Sequence, residues 1–137
     1  MKKEKDTDFT FAGDYEHVPD KTYEAIVVRY DRGEFYQRKK LYLWWKIISI
    51  GPHEGKELFM AFNVFKKITK SSKYYEAWVL ANKGVRPKKN DRMSPKVFKD
   101  KIFSIRTRTV ISSKKQGEID KADRYSVVDE ILELCAG

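Results

Sequence analysis

The chain has 137 residues, enough for one domain with its own core, and its 41% hydrophobic and 14% aromatic content excludes a disordered polypeptide. Twenty-nine Lys and Arg against 20 Asp and Glu give a formal charge of +9, which points to an anionic partner: nucleic acid, an acidic protein or a membrane surface. The single cysteine, Cys135, excludes an intrachain disulfide and a cysteine-rich zinc site. No window has the apolar length of a signal peptide or a membrane span, so the expected compartment is the cytoplasm, with no membrane partner.

Residues 1–10 read as a flexible arm and residues 11–137 as a single domain. A short extended piece from Phe11 to Val18 ends at Pro19 and Asp20. Strand one then runs from Tyr23 to Tyr30 on the β-branched run Ile26, Val27 and Val28. DRGEFYQR follows as a connecting loop that carries Arg32, Phe35, Tyr36 and Arg38. Strand two is RKKLYLWWKIISI, Arg38 to Ile50. At a two-residue period it puts Leu41, Leu43, Trp45 and Ile47 on one face and Lys40, Tyr42, Trp44 and Lys46 on the other. The first face is core. The second is either covered by a helix or a partner chain, or it is the cation–aromatic–aromatic–cation surface that holds a nucleic-acid strand by phosphate charge and base stacking.

GPHEGK is a tight turn into strand three, Glu57 to Val64, so that two and three form a hairpin. Ser71 or Ser72 then caps a helix with Tyr75, Trp78, Val79 and Asn82 at three-four spacing, stopped by Gly84. A basic connector leads to Ser94 and Pro95, the cap and first position of one further helical turn. Strand four is Lys101 to Ile111, with Phe103 and Ile105 inward and Ser104, Arg106 and Arg108 on the opposite face. Ser112 to Asp123 is a polar loop, strand five begins at Tyr125 and runs to Asp129, and EILELCAG either prolongs it or forms a short helix.

Three strands, a helix and two strands is the order of a mainly β, five-stranded OB barrel, with an SH3-like barrel or a half-open sheet under one helix as alternatives. In an OB barrel the outer residues of strand two, the loop DRGEFYQR and the loop SSKKQG border one groove. The pattern from Tyr23 to Leu134, through YLWWKI, GPHEGKEL, SPKVFKDKIFSIRTRTV and YSVVDEI, resembles small OB-fold proteins of phages, plasmids and other mobile elements associated with single-stranded DNA. The resemblance implies a non-catalytic module that binds or protects a single strand. The terminal ILELCAG differs from the acidic, phenylalanine-ended tail of bacterial single-strand-binding proteins.

The candidate binding residues are Arg32, Arg38, Lys40, Tyr42, Trp44, Lys46, Lys88, Lys89, Arg106, Arg108, Lys114 and Lys115. Twelve of the basic residues fall between Lys83 and Lys115 against only Asp91 and Asp100, whereas acidic residues dominate from Gln116 onward. That polarity suits steering of a phosphate backbone, and the expected partner is single-stranded DNA, or RNA, bound with little sequence preference. The rival reading is a protein-interaction or inhibitor module, homo-oligomeric or bound to an acidic partner, with the aromatic face as its interface. A metal-dependent nuclease is a distant third. Asp20, Glu54 and Lys56 have its spacing, but Glu54 and Lys56 fall in a glycine-flanked turn rather than on a core strand. His17 and His53 lack neighbours at ligand spacing, and no phosphate-binding glycine loop or nucleophile elbow is present. No catalytic residue, metal or cofactor is therefore expected.

Overall fold

The computed structural model describes residues 18–35, 38–65, 67–113, 117–118 and 124–137. The expectations for the arm, for the extended piece before Val18 and for Lys114 and Lys115 lie outside the described residues, as does the side chain of Arg38. Strands β1 (Thr22–Phe35), β2 (Arg38–Ile47) and β3 (Glu57–Asn63) are followed by helix α1 (Lys73–Ala81) and a 3₁₀ turn (Pro95–Phe98). Then come β4 (Ile102–Val110), the two-residue strands β5 (Ser112–Ser113) and β6 (Gly117–Glu118), and β7 (Tyr125–Ala136). The protein is mainly β, and its helix lies between the third and fourth strands of the main sheet, as the OB-like order requires.

That sheet has the order β3-β2-β1-β4-β7, and every neighbouring pair is antiparallel. Alternation makes β3 and β7, its two ends, run in the same direction. They also meet: Phe59 of β3 stacks on Tyr125 of β7 with ring centroids 6.0 Å apart, so the sheet curls into a barrel-like form. Inside lie Leu41, Leu43, Trp45 and Ile47 from β2, Leu58, Met60 and Phe62 from β3, and Phe103 and Ile105 from β4. Trp45 is fully buried and takes Phe103 edge-on at 5.4 Å and Phe98 at 6.5 Å.

Several boundaries differ from the sequence expectation for identifiable reasons. The described residues of DRGEFYQR are strand rather than loop: β1 continues to Phe35 and β2 begins at Arg38, with Gly33 opposite Lys40 and Glu34 opposite Lys39 keeping the ladder going. The polar stretch after β4 contains the β5–β6 pair. The terminal segment prolongs the last strand to Ala136 rather than forming a helix. It pairs with β4 through three irregularities at which Cys135, Leu132 and Asp129 are the extra residues on β7.

Helix α1 starts as expected, with Ser72 Oγ accepting the Tyr74 N–H at 3.1 Å, and it ends before Lys83 and Gly84, both at positive φ. Its buried face is Tyr74, Ala77, Trp78 and Ala81, one residue earlier than Tyr75 at its start. Tyr74 O–H donates to the Met93 carbonyl at 2.6 Å and Trp78 Nε1 to the Ser94 carbonyl at 3.1 Å, which ties the helix to the turn capped by Ser94. Burial pushes the Tyr74 phenol well above its ordinary value. Lys101 Nζ donates to the Ala81 carbonyl at 2.8 Å and the Val97 carbonyl at 2.7 Å, closing the ends of both helical segments.

The lead into β1 is held by Thr107, buried in β4, whose Oγ1 accepts the Lys21 N–H at 3.2 Å and donates to the Pro19 carbonyl at 2.9 Å. Thr107→Val keeps the shape and removes these bonds together with the hydroxyl's 3.2 Å contact to the Lys21 carbonyl. Chemical denaturation should show a loss of about 1 to 2 kcal/mol, and an unchanged midpoint would show that water replaces the hydroxyl without cost.

Candidate nucleic-acid interface

The second face of β2 is set by its two neighbours. Trp44 stands opposite Phe59 of β3 and Arg29 of β1, and Tyr42 stands opposite Ala61 and Asp31. Residues directly opposite share a face, so these side chains all lie on the outside of the sheet. Tyr42 and Trp44 are half-buried because they lean on Phe59. The Trp44 and Phe59 centroids are 5.4 Å apart at 52°, and those of Tyr42 and Phe59 are 5.9 Å apart at 68°. Phe59 is therefore the centre of an aromatic row of Tyr42, Trp44 and Tyr125. Room for Tyr42 comes from Gly33, where an added Cβ would sit 3.2 Å from Tyr42 Cε2. Lys40 and Lys46 flank the row on the same strand.

Arg29 reaches this face through a bulge. The register of β1 against β2 steps between Val27 and Arg29, leaving Val28 as the extra residue. Before the step, Ala25 and Val27 point into the core. After it, Arg29 points outward and Tyr30 and Arg32 take the core-side positions opposite Leu43 and Leu41. The Arg29 guanidinium lies over the Trp44 ring at 4.4 Å, and its Nη1 is 2.7 Å from Glu57 Oε1. Arg29, Phe59 and Tyr125 are members of the face that the two-residue reading of β2 did not name. Phe59 was available from the same reading of β3, since Leu58, Met60 and Phe62 claim the core positions.

Of the sequence candidates, Lys40, Tyr42, Trp44 and Lys46 come together as a single face. Arg32 is exposed at a core-side position of β1, where its charge only partly offsets the burial that raises the Tyr74 phenol. Lys88 and Lys89 are exposed on the connector after α1, in a turn closed by the Lys88 N–H on Asp91 Oδ2 at 2.7 Å. Arg106 and Arg108 lie on the outer face of β4 and are ion-paired. Arg106 Nη2 meets Asp129 Oδ2 at 3.0 Å and Glu130 Oε1, and Arg108 Nε meets Asp129 Oδ1 at 2.9 Å. Asp129 reaches both because it is a bulged residue of β7 between the partners of Arg106 and Thr107. A phosphate would engage these arginines only in competition with their carboxylates.

The face is a surface, not a pocket. A cleft of about 570 Å³ does open where α1 meets β3 and β7, lined by Phe62, Ala77, Leu80 and Ile131 with Arg106 and Asp129 at its rim. Among the described residues no group of three His, Cys, Asp or Glu is placed to hold a metal ion, and no helix is long and apolar enough to cross a membrane. No protein-family model matches the chain, and no curated protein matches it.

Partial burial alone would raise the Asp129 carboxyl, but hydrogen bonds from Arg106 and Arg108 outweigh it and hold the group below its ordinary value of 3.8. A depressed carboxyl stabilises the fold above its unfolded value, and that contribution fades as pH falls through the native one. Asp129→Asn should thus lower the unfolding free energy at neutral pH, by no more than about 1 kcal/mol for so exposed a pair, and the deficit should shrink as pH falls through the depressed carboxyl and Asp129 is protonated. A deficit that persists unchanged into acid would assign the effect to packing instead.

Proposed function

We propose that this protein binds single-stranded nucleic acid, DNA in the first instance, through the outer face of β2 and β3 and without a catalytic step. The observation that carries the reading is the row Tyr42, Phe59 and Trp44 on two adjacent strands, bordered on β2 by Lys40 and Lys46. Rings at strand spacing offer platforms to successive bases, and cations at the ends of the row meet the phosphates between them. Stacking accepts every base, so little sequence preference is expected. The formal charge of +9 adds long-range attraction for a polyanion. The strand and helix order, together with the resemblance to single-strand-associated OB proteins of mobile elements, supports the same reading.

Titration with oligo-dT at low salt tests it. Trp44→Ala should weaken binding by about 1 to 3 kcal/mol, the range for a lost stacked base, and Lys40→Gln with Lys46→Gln should flatten the salt dependence by about 0.7 for each phosphate that is no longer neutralised. Absence of saturable binding by the wild type at low salt would contradict the proposal and turn the aromatic row into a protein interface.

A further inference from the structure

The face proposed for binding already holds an anion of its own. Glu57 stands opposite Lys46 at the edge of the aromatic row, and its Oε1 is 2.7 Å from Arg29 Nη1. The Arg29 guanidinium in turn covers the Trp44 ring at 4.4 Å. Phe59 approaches the same indole at 5.4 Å, tilted by 52°, so Trp44 is engaged by a cation and by a ring before any ligand arrives. A base needs an open face of the indole. A phosphate needs a guanidinium that is not already neutralised.

Resting on the binding reading above, we propose that Glu57 is an internal substitute for phosphate that keeps Arg29 folded over Trp44 until a single strand displaces it. The strand's phosphate takes the place of the Glu57 carboxylate on Arg29. The guanidinium then leaves the indole with the phosphate, and a base stacks on the uncovered ring. Neither half of the ligand suffices alone: a nucleoside lacks the anion that draws Arg29 away, and inorganic phosphate lacks the base that replaces it. The device makes the face selective for ligands that carry both groups at strand spacing. Arg29 and Glu57 side chains are 50% and 41% exposed, so the exchange costs no repacking of the core. Strand pairing defines the control. Asp31 is a second carboxylate on this outer face, opposite Tyr42, and it is not the carboxylate that holds Arg29.

The experiment is oligo-dT titration of the wild type, Glu57→Gln, Asp31→Asn, Arg29→Gln and the double variant Arg29→Gln/Glu57→Gln across a range of salt. Glu57→Gln should tighten binding about three- to five-fold at low salt, the scale of one exposed ion pair, with a salt slope close to that of the wild type, because Arg29 neutralises one phosphate in both. Asp31→Asn should give a smaller gain, and the gain from Glu57→Gln should disappear in the Arg29→Gln background. Three results would overturn the inference while leaving the binding reading intact: an equal gain from Asp31→Asn, a Glu57→Gln gain that survives without Arg29, or weaker binding by Glu57→Gln. A wild type that shows no saturable binding would instead remove the binding reading, and this inference with it.

Discussion

Two adjacent tryptophans divide the molecule. Trp45 is fully buried among Phe98 and Phe103, and Trp44 lies outside against Phe59 and Arg29. The pleat of β2 alone separates them, and β2 is held in register by β1 on one side and β3 on the other. A slip of one residue would drive Lys40, Tyr42, Trp44 and Lys46 into the core and expose Leu41, Leu43, Trp45 and Ile47, a change that burial of four large apolar side chains forbids. The core and the candidate face are therefore two consequences of the same register. Among the described residues no acceptor meets the Trp45 indole N–H, and its ring packs edge-on against Phe98 and Phe103.

The sequence made this division legible because a strand's period is two and β2 alternates strictly. The β2–β3 hairpin, the Ser72 cap and the Ser94–Pro95 turn were legible for similar local reasons: each depends on residues within a few positions of one another. Arg29 was not. A plain two-residue count from Val27 puts Arg29 in the core and Val28 and Tyr30 outside, and the single bulge at Val28 reverses the sides of Arg29, Tyr30 and Arg32. Such a bulge carries no strong residue signature here, where Val28 is simply one more β-branched residue. Tyr125 was hidden for a different reason, because it joins the row only when β7 closes against β3.

Arg106 and Arg108 show the same limit for charge. They share the outer side of a strand, as the alternation of β4 predicts, but the carboxylates that neutralise them arrive from β7, more than twenty residues along the chain. Asp129 serves both only because a bulge inserts it between two ladder partners. A formal charge of +9 thus overstates the positive charge free to meet a ligand at that end of the barrel, and the cations beside the rings, Lys40 and Lys46 on β2, matter more than the arginine count suggests. A shallow aromatic surface with cations at its margins is what an extended, flexible ligand requires. An enclosed pocket would suit a small molecule better.

The most direct test of the account follows the indole N–H resonances of the three tryptophans in a ¹⁵N-labelled sample as oligo-dT is added. Trp44 should shift progressively and to saturation, together with backbone amides of β2 and β3 around Tyr42 and Phe59, while Trp45 and Trp78 hold their positions. Binding that leaves Trp44 unmoved and shifts only the connector around Lys88 and Lys89 would place the contact elsewhere and contradict the central claim.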